Sequence, residues 1–172
     1  MHKIDYRLRA LICVLLWGLS FPLCKLLILQ GLAPLFIVAA RFIVGGVCLS
    51  FFIKIPHKDI GKLILLSFTL HIIPVSLTSV AIEHVDSSIA ALTALLDVPF
   101  AWFLSVLLLK EKIVLKQCIG LLLSSVGLFY VAYSPEISGL GIYFLLLVVA
   151  SFLYGLASIQ IKFIDLDARI IT

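Results

Sequence analysis

Four side chains able to hold or move charge, Lys25, Arg41, His71 and Asp97, stand inside long aliphatic stretches. An Arg, Lys or Asp at the centre of a membrane helix costs roughly +2.5 to +3.5 kcal/mol, against about −0.3 to −0.6 for each Leu, Ile, Phe or Val. The surrounding aliphatics can carry one such residue per helix, so each marks a place where polar chemistry is kept against a penalty. Asp97 offers a negative partner to an ammonium group or a proton. Arg41, joined by Lys25, suits a carboxylate or a phosphate. His71 suits hydrogen bonding or proton relay. Two positives and one negative favour an anionic or zwitterionic solute, such as an amino acid or a nucleoside-like metabolite. Each residue also has a purely structural reading: Lys25 snorkelling to an interface, Arg41 and Asp97 as an ion pair without ligand, His71 as a neutral interior residue.

Helical spacing says which neighbours share a face with each group. Asp97 aligns with Ala90, Ala94 and Ala101, a stripe of small residues that suits close helix approach. His71 aligns with Ser67, Pro74 and Thr78, and Pro74 leaves the Leu70 carbonyl without its helical donor. Lys25 stacks with Gly18 and Pro22, and Arg41 with Gly45 and Cys48. At 1.5 Å per residue, Lys25, Arg41 and Asp97 lie roughly 6, 9 and 12 Å from the same ends of their helices, depths at which they can meet. All four faces are expected to converge on one cavity. Gly120, Ser124 and Gly127 read instead as a packing or dimer face, and Trp17 and Trp102 as packing residues.

The elements that must position these groups follow from composition. Of 172 residues, 63% are hydrophobic and 13% charged, whereas soluble domains average about 45–50% and about 25%. Too few polar residues are present to cover a globule, which excludes a soluble domain, a disordered segment and a coiled coil. Crossing roughly 30 Å of hydrocarbon takes about 20 apolar residues. Six runs qualify: 8–29, 35–53, 63–82, 89–109, 113–133 and 140–161. Turn formers and charges separate them, and the short connections make successive helices antiparallel.

Charge placement gives an expected orientation. With the N-terminus cytoplasmic, the inner segments hold Lys3, Arg7, Arg9, Lys54, Lys58, Lys62, Lys110, Lys112, Lys116, Lys162 and Arg169, eleven of the thirteen basic residues. The outer loops carry Glu83, Asp86 and Glu136 and no Lys or Arg. This is the positive-inside pattern, with both termini cytoplasmic, and it explains the net charge of +4 without nucleic acid. A cleaved signal is disfavoured by the length of the first run and by Lys25 within it. Cys13, Cys24, Cys48 and Cys118 all lie in spans and read as packing residues. No H-E-x-x-H, G-x-S-x-G, Walker A or dinucleotide fingerprint occurs, so no enzyme, metal or cofactor is expected. The acidic pairs Glu83/Asp86 and Asp165/Asp167 read as solvated loop charges.

One internal echo stands out. Trp17-Gly18-Leu19-Ser20 with Lys25 parallels Tyr154-Gly155-Leu156-Ala157 with Lys162, at a shift of 137 residues. Five spans separate the copies, so the second helix crosses in the opposite sense, as in an inverted-topology repeat. The chain also resembles the EamA-type proteins of the drug/metabolite transporter superfamily. That resemblance rests on Trp17-Gly18-Leu19-Ser20-Phe21, Gly31-Leu32-Ala33-Pro34, Ala40-Arg41-Phe42, Val98-Pro99-Phe100, Leu109-Lys110-Glu111-Lys112 and the Gly120–Gly127 helix. It implies two inverted five-helix repeats and transport of small metabolites without an ATP site.

The expected fold is thus an all-α polytopic membrane protein of six transmembrane helices. Residues 1–138 form a five-helix EamA-like repeat, and 139–172 supply the first helix of a truncated second repeat. The expected location is the cytoplasmic (inner) membrane, with lipid and a small solute as partners and either a homodimer or a missing second half to complete it. A half-length chain of this kind is open to being inactive. A non-transporting membrane subunit is one alternative. A small-multidrug-type exporter acting as a dimer is another, although those proteins use a carboxylate in the first helix, where this chain has Lys25.

Overall fold

The computed structural model describes residues 6–51, 60–110, 115–132 and 141–163. Lys54, Lys58, Glu136, Asp165, Asp167 and Arg169 lie outside them, as do Glu111 and Lys112 of the Leu109–Lys112 motif. The described residues form α1 (Tyr6–Leu29), α2 (Pro34–Ser50), α3 (Ile60–Ser67), α4 (Ile73–His84), α5 (Ser87–Ala94), α6 (Asp97–Leu109), α7 (Leu115–Ala132) and α8 (Gly141–Phe163). A π-helical turn, Phe68–Ile72, joins α3 to α4, and a tight turn at Leu95 and Leu96 joins α5 to α6. Six helical spans result, two of them interrupted, close to the expected boundaries. Four are long and apolar enough to cross a bilayer: Arg7–Leu29, Leu63–His84, Ser87–Leu109 and Gly141–Ile161. Pro34–Cys48 and Leu115–Gly127 are shorter apolar helices.

Both interruptions have a local cause. In the third span, the Ile73 N–H reaches back to the Phe68 carbonyl, one residue beyond α-helical spacing, immediately ahead of Pro74, which has no N–H to give. In the fourth span, Leu95 N–H bonds to Leu92 C=O at 3.2 Å and Leu96 N–H to Thr93 C=O at 3.0 Å, a tightened turn. Pro99, three residues on, has no N–H for the Leu95 carbonyl. The first helix ends more conventionally. Gly31 takes φ 89°, and Gly31 N–H and Leu32 N–H close on the carbonyls of Ile28 (2.9 Å) and Leu27 (3.2 Å), a motif that needs a left-handed residue.

Most of the surface is apolar, as lipid contact requires: Leu15, Leu23, Val44, Leu107, Leu122 and Val126 are among many large exposed aliphatics. The buried cluster of Phe21, Ala81, Ile82, Val85, Ile89, Ala90 and Leu147 gathers where α4 turns into α5 and α8 begins. At that end the His84 imidazole stacks on Tyr143, with ring centroids 3.9 Å apart and planes at 6°.

The eighth helix is the centre of the bundle, packing on α4, α5, α6 and the π-turn. Its contact with α6 is backbone-close. A Cβ on Gly155 would lie 2.8 Å from the Ala101 nitrogen, 2.9 Å from Phe100 Cβ and 3.1 Å from the Asp97 carbonyl. One turn earlier, the buried Ser151 hydroxyl donates to Thr93 C=O at 3.0 Å and to Leu147 C=O at 2.9 Å. Ser151 and Gly155 together seat α8 on the broken fourth span, the hydroxyl serving a carbonyl at the break and the glycine making room. Phe100 and Phe152 meet edge to face at 5.4 Å beside them. On the far side of α8, Gln160 Oε1 accepts a hydrogen bond from Thr69 Oγ1 of the π-turn at 2.6 Å.

Candidate functional site

α1, α2, α4, α5, α8 and the π-turn line a partly open cavity of about 160 Å³, with Arg41 and His71 on its exposed side. Its aromatic wall is Trp17, Phe21, Phe42 and Tyr154, and its polar wall is Ser20, Arg41, His71, Thr78, Ser79 and Ser151. Arg41 lies within electrostatic reach of His71 and Tyr154. The imidazole meets the Phe42 ring edge to face at 6.3 Å. No described group takes a hydrogen bond or ion pair from the Arg41 guanidinium. A cationic fork on a polar cavity with aromatic walls can grip an anion.

Arg41 and His71 therefore share a cavity, as the convergence of their helical faces predicts. Lys25 and Asp97 are placed elsewhere. The Lys25 ammonium donates to the carbonyls of Ile82 (2.8 Å), Val85 (3.0 Å) and Glu83 (3.3 Å). These include the unpaired acceptors at the C-terminal end of α4, where a helix carries partial negative charge. Its three protons are thus committed to backbone carbonyls at the end of α4.

The single alanine stripe through Asp97 is a correction. Ala90 and Ala94 line the cavity, whereas Asp97 and Ala101 line a separate crevice of about 350 Å³ with Trp102, Ser105 and Ser158. The turn at Leu95–Leu96 shifts the helical phase between the two pairs, so i+7 counting across it fails. No ion pair joins Arg41 to Asp97 among the described residues. Trp102 is held by its indole N–H on Gln117 Oε1 at 3.3 Å, tying α6 to α7.

Several cavity residues were not singled out as site residues from sequence. Ser20, Ser79 and Ser151 are small hydroxyls that membrane helices carry at little penalty, so nothing made them conspicuous. Tyr154 did carry a signal: it is the counterpart of Trp17 in the 137-residue echo, and both rings line the same cavity. Among the described residues no group of three His, Cys, Asp or Glu side chains gathers as metal ligands would.

Long apolar helices with a lipid-compatible exterior, two interrupted spans and an interior polar cavity define a multi-pass membrane protein of transporter type. The EamA-like transporter family matches residues 7–133, about three quarters of the chain, and the protein belongs to that family. No curated protein and no solved structure matches the chain.

Proposed function

We propose that the chain moves a small anionic or zwitterionic metabolite across the cytoplasmic membrane, with the Arg41–His71 cavity as its solute site. The observation that carries this reading is a guanidinium with no partner among the described residues, lining a partly open cavity with His71 and Tyr154 beside it. Arg41 binds the anionic group, and His71 and Tyr154 supply hydrogen bonds. Asp97, in its own crevice, is the position for a proton or other cation. Lys25 supports the site from a distance by holding the end of α4. Membership of a transporter family supports transport over the reading of a non-transporting subunit.

The arrangement of the polypeptide in this proposal is a five-helix repeat, residues 1–138, followed by the first helix of an inverted repeat, with both termini cytoplasmic. The echo supports it: Trp17 and Tyr154 come from helices five spans apart and face each other's cavity. A second copy or a second repeat completes the permeation path.

The test is uptake and efflux in membrane vesicles containing the full chain with any partner that purifies with it, scored on amino acids, nucleosides and organic acids. Transport of an anionic or zwitterionic solute that Arg41→Leu abolishes is the expected result. Transport that survives Arg41→Leu and His71→Leu together sinks the assignment.

A further inference from the structure

The central cavity adjoins a wider space with which it shares Ser20, Cys24, Arg41, Val75 and Ser79. From Arg41 it opens into a groove of about 640 Å³ between α1 and α2. The groove walls are almost wholly aliphatic and aromatic, with Leu23 and Leu27 on α1 facing Phe36 and Val44 on α2. Arg41 is common to the cavity and the groove. Among the described residues no Asp or Glu lines either space. Lys25 is occupied by three carbonyls, and Asp97 faces the crevice between α6 and α8.

These placements restrict the charge and shape of what fits. A single guanidinium with two parallel N–H donors pairs with a carboxylate. A phosphate dianion would bring a second charge for which the lining holds no partner, and desolvating an uncompensated charge is expensive. A zwitterion would bring an ammonium for which no described carboxylate lines either space, Asp97 lying behind Tyr154 in its own crevice. The rest of the ligand must be apolar to lie against the groove walls, since a polar tail there would lose its water without gaining hydrogen bonds.

We propose that Arg41 anchors the head of a monocarboxylate whose aliphatic tail lies in the groove between α1 and α2. This narrows the solute class and rests on the reading of Arg41 as the solute anchor. The groove then acts as the selectivity element, rewarding tail length, while the guanidinium rewards the charge.

The experiment is competition against radiolabelled hexanoate bound to the full chain in lipid nanodiscs, corrected for empty nanodiscs. Competitors are acetate, butyrate, octanoate, hexylamine and 6-aminohexanoate. Burying tail methylenes in an open-sided groove should tighten binding about two- to fourfold per carbon from butyrate to octanoate. Hexylamine and 6-aminohexanoate should compete at least tenfold more weakly than hexanoate. Gly45 lines the groove, and a Cβ there meets nothing within 4 Å, so Gly45→Leu should fold and bring the octanoate-to-butyrate ratio close to one. A thermal melt equal to that of the parent confirms that this variant is intact. Should it melt early, Val44→Trp, on the same wall, provides the same comparison.

Binding that Arg41→Leu abolishes, with a ratio equal in the parent and the filled groove, overturns the tail assignment and leaves the anchor standing. Carboxylate binding that Arg41→Leu leaves intact overturns the anchor and the tail together. Tight competition by hexylamine or 6-aminohexanoate overturns the monocarboxylate class.

Discussion

The first and eighth helices carry the same short motif and have opposite surroundings. Around Gly155, α8 lies against α6 so closely that a methyl group would strike backbone. Around Gly18, a Cβ on α1 would meet nothing within 4 Å. Only 6% of the apolar window of α1 is buried against 33% of that of α8. Both helices nevertheless present the aromatic that precedes the glycine, Trp17 or Tyr154, to the same cavity. The aromatic's role is shared and the glycine's is not. A glycine's worth in a membrane helix is set by what approaches it, since lipid gives no reward for closeness and a neighbouring backbone does.

That contrast can be broken at several points. The largest effect is expected from Gly155→Leu, which forces four carbons into the Ala101–Phe100 contact. It should remove about 3 kcal/mol or more of stability, or prevent assembly, beyond the about 1–3 kcal/mol usual for an added methylene or two. Gly18→Leu should leave the detergent melting temperature of the purified chain unchanged. Equal losses at both positions would mean that α1 is covered in the same manner as α8.

A smaller loss is expected from Lys25→Met. It strips the donor from three carbonyls at the end of α4 and should cost about 1–3 kcal/mol in urea or thermal unfolding. Because that lysine supports rather than lines the cavity, solute affinity should fall less than for Arg41→Leu.

Ser151→Ala should cost less again. It deletes the interhelical bond to Thr93, worth about 0.5–1.5 kcal/mol, and should speed hydrogen exchange around the Leu95–Leu96 turn. Val14, which occupies the matching position on α1, is exposed, so Val14→Ala should be silent in the same assay. The smallest effect belongs to the aromatics. Tyr154→Phe keeps the ring and removes one hydroxyl, so it should weaken solute binding by about tenfold or less. Trp17→Phe should act from the α1 side of the same cavity to a similar degree.

Sequence reading located the spans within a few residues, because apolar run length and the chemistry of the breaks are both local properties. Arg41 and His71 were conspicuous as candidates, since a costly residue in a greasy helix stands out against its neighbours, and both line the cavity. The fate of Lys25 was harder to read. A long flexible ammonium can serve a ligand, an interface or a helix end, and only the three carbonyls within 3.3 Å decide.

Asp97 shows the limit of periodicity. Counting by 3 and 4 holds while the helix is continuous, and the turn at Leu95–Leu96 separates Ala94 from Asp97. Pro99 offered a hint that the span was interrupted, whereas the Leu96 N–H on the Thr93 carbonyl, which Ser151 of α8 also reaches, is seen only in the folded bundle. Tyr154 was visible as half of a repeat, and its place in the cavity follows from the packing of α8.

The π-turn at Phe68–Ile72 has a consequence for how the third span is phased. One extra residue in a helical turn offsets everything beyond it by about 100° around the axis. Thr78 and Ser79 reach the central cavity from a helix whose lower half, Ile60–Ser67, is clocked by that offset. Removing any one residue between 68 and 72 would regularise the span and swing those hydroxyls toward lipid, a frameshift in space with the reading frame of the chain left intact.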